Sequence, residues 1–174
     1  MAALTQTLLA RGTDYKYLEA VRAMWAGPML VKGPLGTHDA HICRDLGIEG
    51  LVLSNHGARQ SESLVSPLSV LPRIRDAVGE MLTIGIDSGA RSGLDVARAL
   101  ALGARFVLLG RAFMFAVAAL GRAGAHYATE LIGMELEQAM GQTGCFELSA
   151  LPERLAADPA VPSRPKGPPA ASGL

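Results

Sequence analysis

The chain has 174 residues, 16 Lys+Arg against 16 Asp+Glu, 49% hydrophobic residues and 18% charged ones. A net charge of zero offers no footprint for nucleic acid or an anionic membrane, and no apolar run reaches the roughly 18 to 20 residues of a membrane span. Cys43 and Cys145 stand far apart and in no metal-ligand spacing, which excludes a disulfide scaffold and points to a reducing compartment. The opening Met-Ala-Ala-Leu-Thr-Gln-Thr lacks the pattern of a secretory signal, so the expected product is an intracellular, soluble, single-domain chain.

In chain order, helical periodicity predicts a first helix over Tyr15 to Trp25, then a strand over Met29 to Lys32. Thr37 reads as the cap of a helix running to Leu46, with Gly47 at its end. Leu51 to Ser54 is a second strand, followed by a loop longer than a βα turn needs. Ser66-Pro67 places an N-cap before a proline at the first helical position, opening a helix that runs to Val78 and closes at Gly79. Leu82 to Asp87 is a third strand. Ser92 caps a helix over Leu94 to Leu102, with Gly103 as its stop, and Arg105 to Gly110 is a fourth strand. A longer helix, about Gly124 to Met140, follows. Residues 159–174 carry five of the ten prolines and read as a disordered tail, leaving 13–158 as the folded domain.

The strands are continuous apolar runs, as expected for a parallel sheet covered on both faces. Repeated βα units predict an α/β fold, either doubly wound or part of a (β/α)8 TIM barrel. A whole barrel needs around 250 residues, so four units amount to half of one.

Functional signals fall at the C-terminal ends of all four strands, the edge where parallel α/β folds build their sites. Asp87-Ser88-Gly89-Ala90-Arg91-Ser92-Gly93 and Gly110-Arg111 each combine glycine with arginine at a strand end. Free N–H groups, a helix dipole and guanidinium forks are what a phosphate monoester needs. Glycines of this kind also make plain tight turns beside solvated arginines, but the repetition at two successive strands favours the anion reading. Phosphate sites in barrels recur after strands seven and eight, which would make these four strands five to eight.

His56, in the loop after the second strand, can take a proton, and Arg59 can grip a carboxylate through two hydrogen bonds. His38, His41 and His126 read as solvated, and Cys145 as a buried apolar residue. The Met and Phe of Arg111-Ala-Phe-Met-Phe read as core. No metal site is expected, since His38, His41, Cys43 and Asp45 occupy one short helix without a second ligand cluster.

The ordered motifs Val31-Lys32-Gly33, Ser54-Asn-His-Gly-Ala-Arg-Gln60, Asp87-Ser-Gly-Ala-Arg-Ser-Gly93 and Leu109-Gly-Arg111 resemble the FMN-dependent α-hydroxy acid dehydrogenases and oxidases. The stretch from Asp87 to Phe113 is most similar to the bacterial L-lactate dehydrogenase branch. The resemblance implies FMN as cofactor and oxidation of a small L-2-hydroxy acid such as L-lactate. It implies that Lys32 and Ser54 meet the flavin ring, that His56 removes the substrate hydroxyl proton, and that Arg59 binds the substrate carboxylate. Asp87 would meet the ribityl chain, with Ser88, Gly89, Ala90, Arg91, Gly110 and Arg111 holding the phosphate.

Three departures stand out. Ser61-Glu62-Ser63 replaces Leu-Asp-Gly, Ala58 replaces a frequent glycine, and Pro34-Leu35-Gly36 follows the lysine motif. The family's first four βα units, with the carboxylate that orients the histidine, have no counterpart here. Two readings follow: the catalytic-histidine half of an enzyme, or a non-catalytic remnant that at most binds flavin or phosphate. A third, an FMN barrel acting on phosphorylated substrates, does not explain Ser54-Asn-His56-Gly-Ala-Arg59. An open half-barrel exposes strand edges and would need a partner half or self-association. The electron acceptor is not fixed by these residues. Cytoplasm is the expected location, with association at the inner face of the membrane left open by the resemblance.

Overall fold

A computed structural model describes residues 14–154. The Pro-rich segment 159–174, and the margins of the 13–158 domain, lie outside the described residues.

Helix α1 (Tyr15–Met24) is capped by the Asp14 carboxylate, which accepts the Tyr17 amide. Strand β1 (Leu30–Lys32) leads through Gly33 to α2 (Thr37–Asp45), and β2 (Gly50–Leu53) follows. Thr37 is the first helical residue and not the cap: Gly36 takes that place in extended conformation, with no side-chain hydrogen bond. Helix α3 (Pro67–Val78) starts at the expected proline and ends at Gly79. Strand β3 (Thr83–Asp87) and helix α4 (Gly93–Ala101) come next, with a capping box between Ser92 and Asp95. Strand β4 (Phe106–Leu108), α5 (Arg111–Leu120) and the long α6 (Gly124–Thr143) complete the described elements, apart from short 3-10 turns.

Helix α5 was not anticipated, because its nearly all-apolar sequence carries no polar face to show helical period. Its Met114 and Phe115, expected in the core, are 64% and 60% exposed. Nothing among the described residues packs over that side of the helix.

All strand pairs are parallel and the order is β1-β2-β3-β4, with no reversal. A complete doubly wound sheet reverses direction at a switch point; these four strands show no reversal, which is consistent with barrel winding. Side chains alternate across the sheet. Val31, Leu51, Leu53, Ile84, Ile86 and Val107 share one face and pack with Ala40, Cys43, Leu71, Ile74, Val78 and Ala99 of the crossover helices. The opposite face carries Leu30, Lys32, Val52, Gly85, Asp87, Phe106 and Leu108, as the register requires. Gly85 has no side chain there because the Phe106 ring lies over it.

The expectation that every strand is covered on both faces holds for β2 and most of β3 only. Strands β1 and β4 each pair on one side, and Leu30 and Leu108 on the helix-free face are 52% and 41% exposed. Full cover of the edge strands would need further strands on either side. A second, smaller core of Ala97, Ala101, Ala139, Cys145 and Leu151 joins α4, α6 and the last 3-10 turn, and both cysteines are buried and free.

Candidate active site

The period-two alternation that buries Leu51 and Leu53 turns Lys32, Ser54 and Asp87 to the helix-free face at the C-terminal ends of β1, β2 and β3. There they meet. Lys32 Nζ donates to Ser54 Oγ at 3.0 Å and lies 2.6 Å from Asp87 Oδ2; the Ser54 hydroxyl donates to the same carboxylate oxygen at 2.8 Å. Ser54 also accepts the His56 amide at 3.0 Å. One donor and two acceptor positions are thereby filled, the full capacity of a hydroxyl, which explains how Ser54 is tolerated as a fully buried polar residue. Burial pushes the Asp87 carboxyl up, but the hydrogen bonds from Lys32 and Ser54, the Lys32 charge and the Ser88 amide outweigh it and hold it below its ordinary value.

A cleft of about 520 Å³ opens above this triad. Lys32, His56, Arg59, Asp87, Ser88, Gly89, Ala90, Arg91, Gly110 and Arg111 all line it. Of the residues expected at the site, Ser54 alone lies beneath the cleft and not on its wall. Four of the lining side chains, Lys32, Arg59, Arg91 and Arg111, are cations, against one acid, Asp87. The lining therefore carries an excess of positive charge.

The donors available to an anion differ in part from the expected set. At the start of α4 the amides of Arg91 and Ser92 donate to Asp95, and that of Gly93 donates to Glu135 of α6 at 2.7 Å. That helix N-terminus is already occupied by the protein's own carboxylates. Helix α5 is different: Gly110 supplies no side-chain cap to its first turn, and Gly110 and Arg111 both line the cleft. The cleft wall beside that helix start is formed by Gly89, Ala90 and Arg91 on one side and by Gly110 and Arg111 on the other.

His56 sits in a short 3-10 turn (His56–Ala58) whose start is an Asx cap, with Asn55 Oδ1 accepting the amides of Gly57 and Ala58. Among the described residues the hydrogen bonds of His56 are made by its backbone. Its imidazole lies against Gly33, where a Cβ would come 3.7 Å from Cε1.

Sequence reasoning missed Gln60 and Met114 in the lining, the Asn55 cap and the Glu135 contact. Asn two residues before Gly is a turn signal that could have identified the cap. Met114, three residues after Arg111, shares its helix face once α5 is known. Glu135 carried no local signal. His41, expected to be solvated, is half-buried with Nε2 3.3 Å from the Ala77 carbonyl, because α2 packs on α3; His126 is exposed as expected. Among the described residues no cluster of His, Cys, Asp and Glu could hold a metal ion, and no helix is long and apolar enough to cross a membrane.

A parallel β/α sheet wound in one direction, with a cationic cleft and a histidine at its carboxyl edge, defines an α/β protein consistent with the barrel type. Residues 1–158 match the family model of FMN-dependent dehydrogenases, and the chain belongs to that family. It is 46% identical over 141 residues to an L-lactate dehydrogenase of Caulobacter vibrioides, covering 81% of this chain and 37% of that protein. The L-lactate dehydrogenase of Xanthomonas axonopodis pv. citri is 49% identical over 135 residues, with 78% and 35% covered. Among solved structures, mandelate oxidase with 3,3-difluoro-2-hydroxy-3-phenylpropionic acid superposes with a TM-score of 0.77 at 40% identity, covering 81% of this chain and 43% of that one. A mandelate oxidase holding a monooxide FMN adduct gives 0.76 at 41% identity, with 80% and 44% covered. The chain thus spans well under half the length of these relatives. The FMN cofactor and the α-hydroxy acid chemistry expected from the sequence are those of its family.

Proposed function

We propose that this chain is the phosphate-binding, histidine-bearing half, strands five to eight, of an FMN-dependent oxidoreductase acting on an L-2-hydroxy acid, with L-lactate the favoured substrate. The observation that carries this reading is that His56 lines the same cleft as one guanidinium, Arg59, and as the candidate anion cradle of Gly89, Ala90, Arg91, Gly110 and Arg111. Those groups fit FMN: the cradle suits its phosphate, Asp87 its ribityl hydroxyls, and Lys32, held from beneath by Ser54, the polar edge of its ring. When bound, FMN would supply the two-electron acceptor.

The chain's own residues would then do three things. Arg59 holds the substrate carboxylate through a planar fork, which fixes C2 and its hydroxyl. His56 takes the hydroxyl proton on its imidazole as the C2–H bond breaks. Lys32, held in place by Asp87 and Ser54, stabilises negative charge at the ring edge. FMN titration of the purified chain tests the reading: micromolar or tighter binding that is lost in Arg111→Ala supports it, and absence of flavin binding rejects it.

The alternative of a non-catalytic remnant is favoured by one feature, the one-sided pairing of β1 and β4 with Leu30 and Leu108 exposed. Restoration of turnover by a complementary half distinguishes the two.

A further inference from the structure

Three non-glycine residues among those described have positive φ: His56 (+56°), Ala58 (+60°) and Ser88 (+80°). All three belong to one feature. Ser88, on the β3–α4 loop, directs its Oγ to the Gly57 amide at 2.9 Å, and Arg111, at the start of α5, donates from Nη2 to the Gly57 carbonyl at 2.9 Å. Gly57 is thus gripped at both its N–H and its C=O by residues from two other strand ends. Gly57 itself has φ +70°, which favours glycine, and a Cβ there would come 2.7 Å from Arg111 Nη2 and push that guanidinium off the carbonyl.

Strain of this kind persists only where the surroundings hold it in place. At Ser88 a glycine would carry the same φ without strain, and it would lose the hydroxyl. The Asn55 cap holds the same amide from within the turn, but it moves with the turn and cannot fix its position on the barrel edge. The contacts from Ser88 and Arg111 come from outside it.

We infer that Ser88 and Arg111 are positioning residues that clamp Gly57 and thereby set the direction of the His56 imidazole over Gly33. The consequence for catalysis rests on the proposed role of His56; the clamp does not. It gives Arg111 a task beyond any anion contact, and it makes the left-handed Ser88 a requirement of the neighbouring loop.

The test uses the isotopically labelled full chain and reads geometry, not turnover. In Ser88→Gly and in Arg111→Met, amide exchange at Gly57 should rise about fivefold to tenfold, the scale of one lost hydrogen bond. The cross-peak between the His56 Cε1 proton and the Gly33 α protons should weaken or vanish. The melting temperature of Ser88→Gly should stay level or rise, since backbone strain is relieved. Tryptic cleavage after Arg59 gives a second reading of the same loop and should quicken in both variants. Parent-like exchange and an unchanged cross-peak in either variant would overturn the two-sided clamp. So would faster exchange spread evenly over the sheet with a lowered melting temperature, which would mark both residues as general supports of the fold. A clamp upheld here, beside a reconstituted enzyme indifferent to His56, would sink the proposed function and leave this inference standing.

Discussion

Lys32 and Asp87 lie 2.6 Å apart across the width of β2, with Ser54, just past the end of that strand, bonded to both. An ammonium that would serve a flavin ring is therefore held by a carboxylate that would serve its ribityl chain. The pairing holds the Asp87 carboxyl below its ordinary value and fixes where the Lys32 ammonium sits.

This pairing sets an acid limit on stability. Asp87 titrates below its ordinary value, so its contribution is fully present above that value, near pH 4, and is lost as the pH falls through its own lower pKa. Asp95, lowered by its bonds to the Arg91 and Ser92 amides and the Ser92 hydroxyl against the opposing effect of burial, acts in the same window. Urea melts at pH 7 and pH 3 should show a smaller acid loss in Asp87→Asn than in the parent. An equal loss in both would rule the pair out as a source of acid sensitivity.

Ala58→Gly should stabilise the protein by about 1 kcal/mol. Ala58 has φ +60°, where a Cβ costs roughly 1 to 2 kcal/mol, partly offset by the extra entropy of glycine in the unfolded chain. The family's frequent glycine at this position has its physical reason here. A melting temperature unchanged or lowered in the variant would contradict this account.

Gly93→Ala should be severely destabilising, by about 3 kcal/mol, although its backbone is ordinary helix. The added Cβ would run into the backbones of Leu136 and Ile132 on α6, which cannot move aside as a side chain can. Gly89→Ala is the control: no atom lies within 4 Å of its Cβ, so only its φ of +93° would be strained. Chemical denaturation should rank Gly93→Ala well below Gly89→Ala.

The sheet was legible from the sequence because each strand is a short apolar run ending in a chemical motif, and each crossover helix has a start or stop residue such as Ser66-Pro67, Ser92, Gly79 or Gly103. The site residues were legible because parallel topology sends every strand end to one edge. Helix α5 was not, since an apolar run with no polar face has no visible period. Nor was the occupation of the α4 N-terminus, because Glu135 comes from a helix more than 40 residues away in sequence. The positive φ of Ser88 was equally hidden: serine is a poor marker for a left-handed turn, and its reason lies in the partner loop.

Arg111→Ala should cost on the order of 1.5 to 3 kcal/mol of phosphate or FMN affinity, the size of charge-assisted hydrogen bonds. Arg91→Ala should cost a similar amount, its backbone contribution being already committed to Asp95. Equal flavin affinity in parent and both variants would remove the cradle from the phosphate assignment.

Finally, the chain alone should show no more than trace lactate-dependent flavin reduction, and a complementary first half-barrel from an L-lactate dehydrogenase supplied in trans should restore some. His56 has no carboxylate bonded to its imidazole among the described residues, and a misplacement of about 1 Å already costs around a hundredfold. Docking would be driven by covering Leu30, Leu108 and Met114, at roughly 25 cal/mol for each Å² of apolar surface removed from water. In the reconstituted pair, His56→Ala should abolish turnover with flavin still bound, because its role is proton removal and not cofactor binding. Arg59→Lys should raise KM for the hydroxy acid about tenfold or more, since an ammonium cannot reproduce a two-point grip on a carboxylate. Steady-state kinetics and flavin fluorescence on the same samples separate the two effects. Turnover that survives His56→Ala would defeat the catalytic assignment even if the pair assembles as a flavoprotein.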